Sequence, residues 1–176
     1  MNLSDRDTFY EKMYFHELAE RDRLDERFRT LLVVVGIVFS LIGSLFNAVI
    51  LGPQQWPYLF WVIYGLSVVA FVAAVTCYLK AWHSQYYKTF PILRNIEKYI
   101  DQTRQHYLSE TDEHTSAQWT NQAFEEFMRQ SFIDHASFNA LANDNKRFWL
   151  YYGNSFIISA FVFAVMAFIP VADVFF

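Results

Sequence analysis

Few residues in this sequence have types and spacing that could do chemistry. His106, Glu110 and His114 fall at i, i+4 and i+8, which on a helix would align two imidazoles and a carboxylate, ligand types that zinc accepts. The stretch holding the last two, Ser109 to Ser116 (SETDEHTS), is polar and lacks apolar periodicity, so a loop is expected there. Three ligands with a loop between them make a poor zinc site, and neither a metal nor a cofactor is expected. The single cysteine, Cys77, lies inside an apolar run. It excludes an internal disulfide or a multi-cysteine metal site, and reads as a small packing residue. There is no Gly-rich phosphate loop, no Ser–His–Asp arrangement and no carboxylate pair in an apolar setting, so no catalytic residue is expected and the chain does not read as an enzyme.

Arg129 and His135, with five intervening residues, have an interval similar to the Arg-to-His motif of HEPN ribonucleases. Those enzymes pair an Arg and a His at a dimer interface to cleave RNA. Gln130 departs from the residue types that usually follow that Arg, and two ordinary polar helix positions are expected instead. The formal net charge of -4 also provides no basic surface for nucleic acid.

The elements that would position any site are written in the charge pattern. No charged residue occurs in the fifty positions from Thr30 to Leu79, and none from Phe148 to Ala172. With 54% hydrophobic, 20% aromatic and only 18% charged residues, the chain suits lipid as part of its solvent. Leu31 to Leu51 and Tyr58 to Leu79 are each long enough to cross ~30 Å of hydrocarbon. The breakers of Gly52-Pro53-Gln54-Gln55-Trp56-Pro57 predict a tight turn between them. Leu150 to Ile169 is the third span, with Pro170 as its stop. The mixed charges before Thr30 do not fit a cleavable signal peptide, so the first span is expected to be retained.

Orientation follows from Lys and Arg. Six precede the first span and eight lie from Lys80 to Arg147, while the turn between the first two spans and the tail after the third have none. The positive-inside rule then places the N-terminus and the middle segment in the cytoplasm, and the C-terminus outside. Trp56, Tyr58 and Trp61 mark the outer interface, and Tyr78, Trp82, Trp149, Tyr151 and Tyr152 the inner one.

The expected fold is therefore an all-α membrane protein with three transmembrane helices and with N-terminal and central cytoplasmic helices. Its parts are a cytoplasmic amphipathic helix (1–29), a transmembrane hairpin (30–80), a cytoplasmic helical segment (81–147) and the third span with a short outer tail (148–176). The first helix would carry Tyr10, Tyr14, Leu18 and Phe28 on an intermittent apolar face, helped by Glu17–Arg21 and Asp25–Arg29 pairs. The second span should stay helical as far as Pro91. A helix with Ile92, Ile96, Tyr99, Ile100 and Tyr107 follows, then one capped by Ser116, with Asn143-Asp144-Asn145 as either a break or a polar neck before the third span. Apolar faces on so small a cytoplasmic part need covering, and copies of the chain would do it.

Each span also has a side of small residues: Gly36, Ser40, Gly43, Ser44 and Asn47 in the first, Ser67, Ala70, Ala74 and Cys77 in the second, Gly153, Ala160, Ala164 and Ala167 in the third. Small residues let helices approach closely in lipid. These sides serve either packing within one chain or, for the Ser40–Ser44–Asn47 side, a water path in an oligomer. Asn47 matters most because an amide in hydrocarbon is costly unless bonded or hydrated.

The order of elements, with Leu3 to Arg29, the Leu31–Leu51 and Tyr58–Leu79 pair and then Ala81 to Asn145, resembles the SLATT family over about four-fifths of the chain. These are small membrane effectors of bacterial anti-phage and nucleotide-signalling systems. The third span departs from the two-helix pattern of that family. The resemblance implies a homo-oligomeric, pore-forming effector of the bacterial inner (plasma) membrane, triggered by a cytosolic protein or nucleotide. The rival expectation is a non-conducting membrane partner subunit or immunity-type protein using the same small-residue faces. A transporter is disfavoured, since three helices cannot supply a pair of inverted repeats.

Overall fold

The computed structural model describes residues 3–52, 56–83, 86–91 and 93–175, and side chains within these except at 3–6, 93 and 170–175. The described residues form four helices and no strand: α1 (Leu3–Leu51), α2 (Tyr58–His83), α3 (Leu93–Leu108) and α4 (Glu113–Phe175). Three of them, α1, α2 and α4, are long and apolar enough to cross a membrane.

The helices are longer than the charge pattern suggested. No Gly or Pro occurs between Leu3 and Val35, so nothing ends α1 where charged residues give way to apolar ones. Likewise α4 runs without a break through Asn143-Asp144-Asn145 and on past position 170. Asn and Asp lower helix propensity by well under ~1 kcal/mol each, too little to end a long helix. The second helix differs in the other direction: α2 ends at His83, and Tyr86–Pro91 is not helical. Lys80 and His83 in its last turn suit the negative end of the helix dipole. Pro53, Gln54 and Gln55 of the expected turn, and Ile92 of the expected stripe, lie outside the described residues.

Contacts divide the chain into two units. One comprises Met1–Arg21 and Tyr86–Asn143. Its irregular Tyr86–Pro91 segment has backbone groups that no helix satisfies, and side chains take them up. Asn139, fully buried on α4, accepts from the Lys88 N–H at 2.9 Å and donates to the Lys88 carbonyl at 3.1 Å. The Tyr14 hydroxyl of α1 accepts from the Phe90 N–H at 3.2 Å. Tyr14 is buried among Phe90, Phe132 and His135, and Tyr99 stacks on Phe127 at 4.5 Å. Asn143 accepts from the Tyr87 hydroxyl and donates to the backbone carbonyl and carboxylate of Glu17, so of the break and the polar neck offered at this position the helix shows no break, and Asn143 is a buried connector. The start of α4 also moves from its expected cap. Asp112 accepts from the Thr115 N–H and hydroxyl at 3.2 and 2.7 Å, which makes it the N-cap and holds its carboxyl below the usual range. Ser116 lies inside α4, buried, donating to the Arg104 carbonyl.

The other unit comprises Asp22–Gln85 and Asp144–Phe176. Here the apolar lengths of α1, α2 and α4 bury Leu24, Phe28, Val38, Leu45, Phe60, Ala74 and Ile157 between them. Large apolar side chains such as Leu32, Ile37, Phe39, Phe46, Leu66, Val69 and Ile158 stay on the outside. Water would penalise that surface, whereas hydrocarbon accepts it. At the α1–α2 turn, a Cβ on Gly52 would lie 2.6 Å from the Trp56 ring and 2.7 Å from the Ala48 carbonyl oxygen, so only glycine admits the indole there.

Candidate functional site

The three sides of small residues have different fates. Gly153, Ala160, Ala164 and Ala167 of α4 are all buried within the chain. The Ser67 hydroxyl of α2 donates to the Ala160 carbonyl at 2.8 Å, and Gly153 lies directly against the Tyr78 ring. Ala74 and Cys77 are buried as well. These residues bring α2 and α4 close, and their packing capacity is used up internally.

On α1 the outcome is the opposite. Gly36, Ser40, Gly43, Ser44 and Asn47 are all exposed. Apart from the helix's own nearby backbone and the adjacent residues, nothing among the described residues lies within 4 Å of where a Cβ on Gly36 or Gly43 would stand. The buried side of the same helix is the one carrying Val38, Ile42 and Leu45. The Ser40 hydroxyl donates to the Gly36 carbonyl and that of Ser44 to the Ser40 carbonyl, both at 2.9 Å. Those two polar groups are therefore satisfied by their own helix and need no water. Asn47 is different, because its carboxamide makes no hydrogen bond among the described residues. α1 thus carries an open strip of small residues that ends in an unpaired amide.

The other candidates are placed apart. His106 lies in the last turn of α3, Glu110 follows in the turn with an Nε2–Oε1 distance of 3.9 Å, and His114 lies in the first turn of α4. All three are exposed, and among the described residues no group of three His, Cys, Asp or Glu is placed to hold a metal. Arg129 pairs with Glu126 one helical turn away. His135 faces the Tyr14–Phe90 aromatic cluster, where burial first, and the charge of Lys88 second, push its pKa down against the opposing Asp134.

One constellation escaped sequence reasoning. Asp25, expected to pair with Arg29 along α1, accepts a hydrogen bond from the Lys146 ammonium of α4. The Lys146 side chain is fully buried, and that of Asp25 is 35% exposed. Beside them, Lys80 of α2 lies over the Trp149 ring at 4.3 Å. These pairs connect the three helices at the end where the charged residues begin. The only signal in the sequence was a lysine adjacent to an apolar run, which local spacing cannot match to a partner 121 positions away.

Comparison of the chain with protein-family models, with curated proteins and with solved structures finds no match.

Proposed function

We propose that this chain is a bacterial inner-membrane protein that acts as a homo-oligomer, with its N-terminus and middle segment in the cytoplasm and its C-terminus outside. Copies meet through the open side of α1, and the assembly works as a pore- or channel-like effector triggered from the cytoplasm by a protein or nucleotide. The resemblance to SLATT effectors makes anti-phage defence its setting. The observation carrying this reading is the exposure of all five α1 residues while the equivalent α4 residues are consumed inside the chain. In lipid an unpaired amide costs on the order of a few kcal/mol, so Asn47 favours any state in which it meets water, another helix or its own copies.

A second reading has an observation in its favour. Because Ser40 and Ser44 already bond within α1, this side also suits a dry seam against a partner, as in a non-conducting subunit. Asn47→Leu separates the two. On a water path the variant is expected to permeabilise liposomes less while the oligomer persists in size-exclusion light scattering. At a dry seam the oligomer itself weakens and leakage falls in proportion. Unchanged assembly with unchanged leakage would remove Asn47 from both.

The orientation has its own test. Single cysteines at Gln54 and at Ser109, in a Cys77→Ala background, are expected to react with an impermeant maleimide from opposite sides of the membrane. Reaction of both from the outside would overturn the arrangement.

A further inference from the structure

Where the apolar lengths of α1 and α4 give way to charge, the two helices leave a groove of about 580 Å³ between them. Three guanidiniums, from Arg23, Arg27 and Arg147, line it against a single carboxylate, Glu26, together with leucine side chains and Asn154. Arg23 and Arg147 have partners of their own, Arg147 bonding to Asp144 at 2.9 Å, whereas Arg27 makes no hydrogen bond or ion pair among the described residues. Asn154 is exposed and likewise without a bond. It also lines a second groove, of about 230 Å³, farther along the same two helices. Every other residue there is apolar, Ile37, Ile158 and Phe161 among them. The cationic groove thus leads at Asn154 into an apolar one.

This order, cationic and then apolar along one helix pair, matches an amphiphile with an anionic head. Guanidinium forks fit phosphate oxygens in pairs, and basic recesses between membrane helices suit lipid headgroups. We propose that the α1–α4 groove binds one anionic phospholipid, its phosphate held by Arg27 and the Asn154 amide in the field of the neighbouring arginines, and an acyl chain laid along Ile37, Ile158 and Phe161. A free phosphate would use only the cationic groove and leave the apolar one empty. The lipid site does not depend on the assembly proposed above: a monomer that retains anionic lipid would sink the oligomer and leave this site standing.

Native mass spectrometry of the full chain in mild detergent tests it, with dioleoylphosphatidylglycerol and dioleoylphosphatidylcholine as probes. The protein is expected to retain the glycerol lipid in preference to the choline lipid. Arg27→Gln removes charge-assisted bonds to the phosphate and should weaken that retention roughly tenfold. Arg94→Gln, on the exposed part of α3, should leave it unchanged, and circular dichroism should show both variants equally helical. Equal retention of the two lipids, or an Arg27→Gln protein that binds as before, overturns the proposal. So does displacement of the lipid by glycerol 3-phosphate at equal concentration, which would make the groove a site for free phosphate.

Discussion

Replacing Asp25 with alanine is expected to destabilise the three-helix unit by about 3–5 kcal/mol, among the largest effects of any single polar substitution in this chain. The cause is asymmetric burial. Lys146 has no exposed side-chain surface, so without Asp25 its ammonium keeps neither water nor a counter-charge. Asp25 is 35% exposed and can turn to solvent, so Lys146→Met should cost less than Asp25→Ala. The double variant Asp25→Ala/Lys146→Met should be more stable than Asp25→Ala alone, since an apolar pair removes the orphaned charge. Thermal unfolding in detergent, followed by size exclusion after heating, gives the ranking. If the two single losses are equal and simply add in the double variant, the pair is not coupled and the burial argument fails.

The second large effect is expected at Gly153. A Cβ there would stand 2.6 Å from Cε1 and 2.9 Å from Cδ1 of the Tyr78 ring, and that ring is only 3% exposed, so it has little room to withdraw. Alanine gains about 1 kcal/mol in helix propensity over glycine, but overpacking a tight contact costs about 1–3 kcal/mol. Gly153→Ala should therefore be neutral to destabilising, and Gly153→Leu should cost several times more by forcing α2 and α4 apart. Tyr78→Leu, which shrinks the opposing ring, should restore part of the loss in the Gly153→Ala background. Alone it should destabilise, through the cavity it leaves. A Gly153→Leu protein with an unchanged unfolding midpoint would show that the contact is looser than the geometry states. By contrast, a Cβ at Gly36 on the open side of α1 stands clear of every neighbouring helix by at least 4 Å, so the effect of Gly36→Leu on the unfolding of a single chain should be small.

That contrast shows where sequence reading stops. The apolar spans, their number and the bias of Lys and Arg were legible because hydrophobicity and charge add up locally along a chain, and lipid selects on those sums. The helical character of every described element except the 86–91 segment and the turns was legible for a similar reason, since isolated glycines are all that interrupts these long stretches before Pro170. The end of α2 was not. Tyr86–Pro91 leaves the helix because Asn139 and Tyr14, distant in sequence, bond its backbone groups and so remove the cost of leaving it. The cap at Asp112 rather than Ser116 was also decided in three dimensions, since the Ser116 hydroxyl reaches the end of α3 instead.

Most consequential for the proposed function, the small residues of α1 and α4 look alike in sequence, as do any two helical stripes of Gly, Ala and Ser. Sequence determined that each helix carried such a side, because spacing alone sets which residues share a face. Only the tertiary structure decided that α4 turns its stripe inward against Tyr78 and Ser67, while α1 buries Val38, Ile42 and Leu45 and leaves its stripe outside. The physical reason is that a helix has one face to offer each neighbour, and the choice of face is made by the pairing of all three helices at once. The same holds for Asp25 and Lys146, whose attraction has no local signature and exists only because packing removes the water between them.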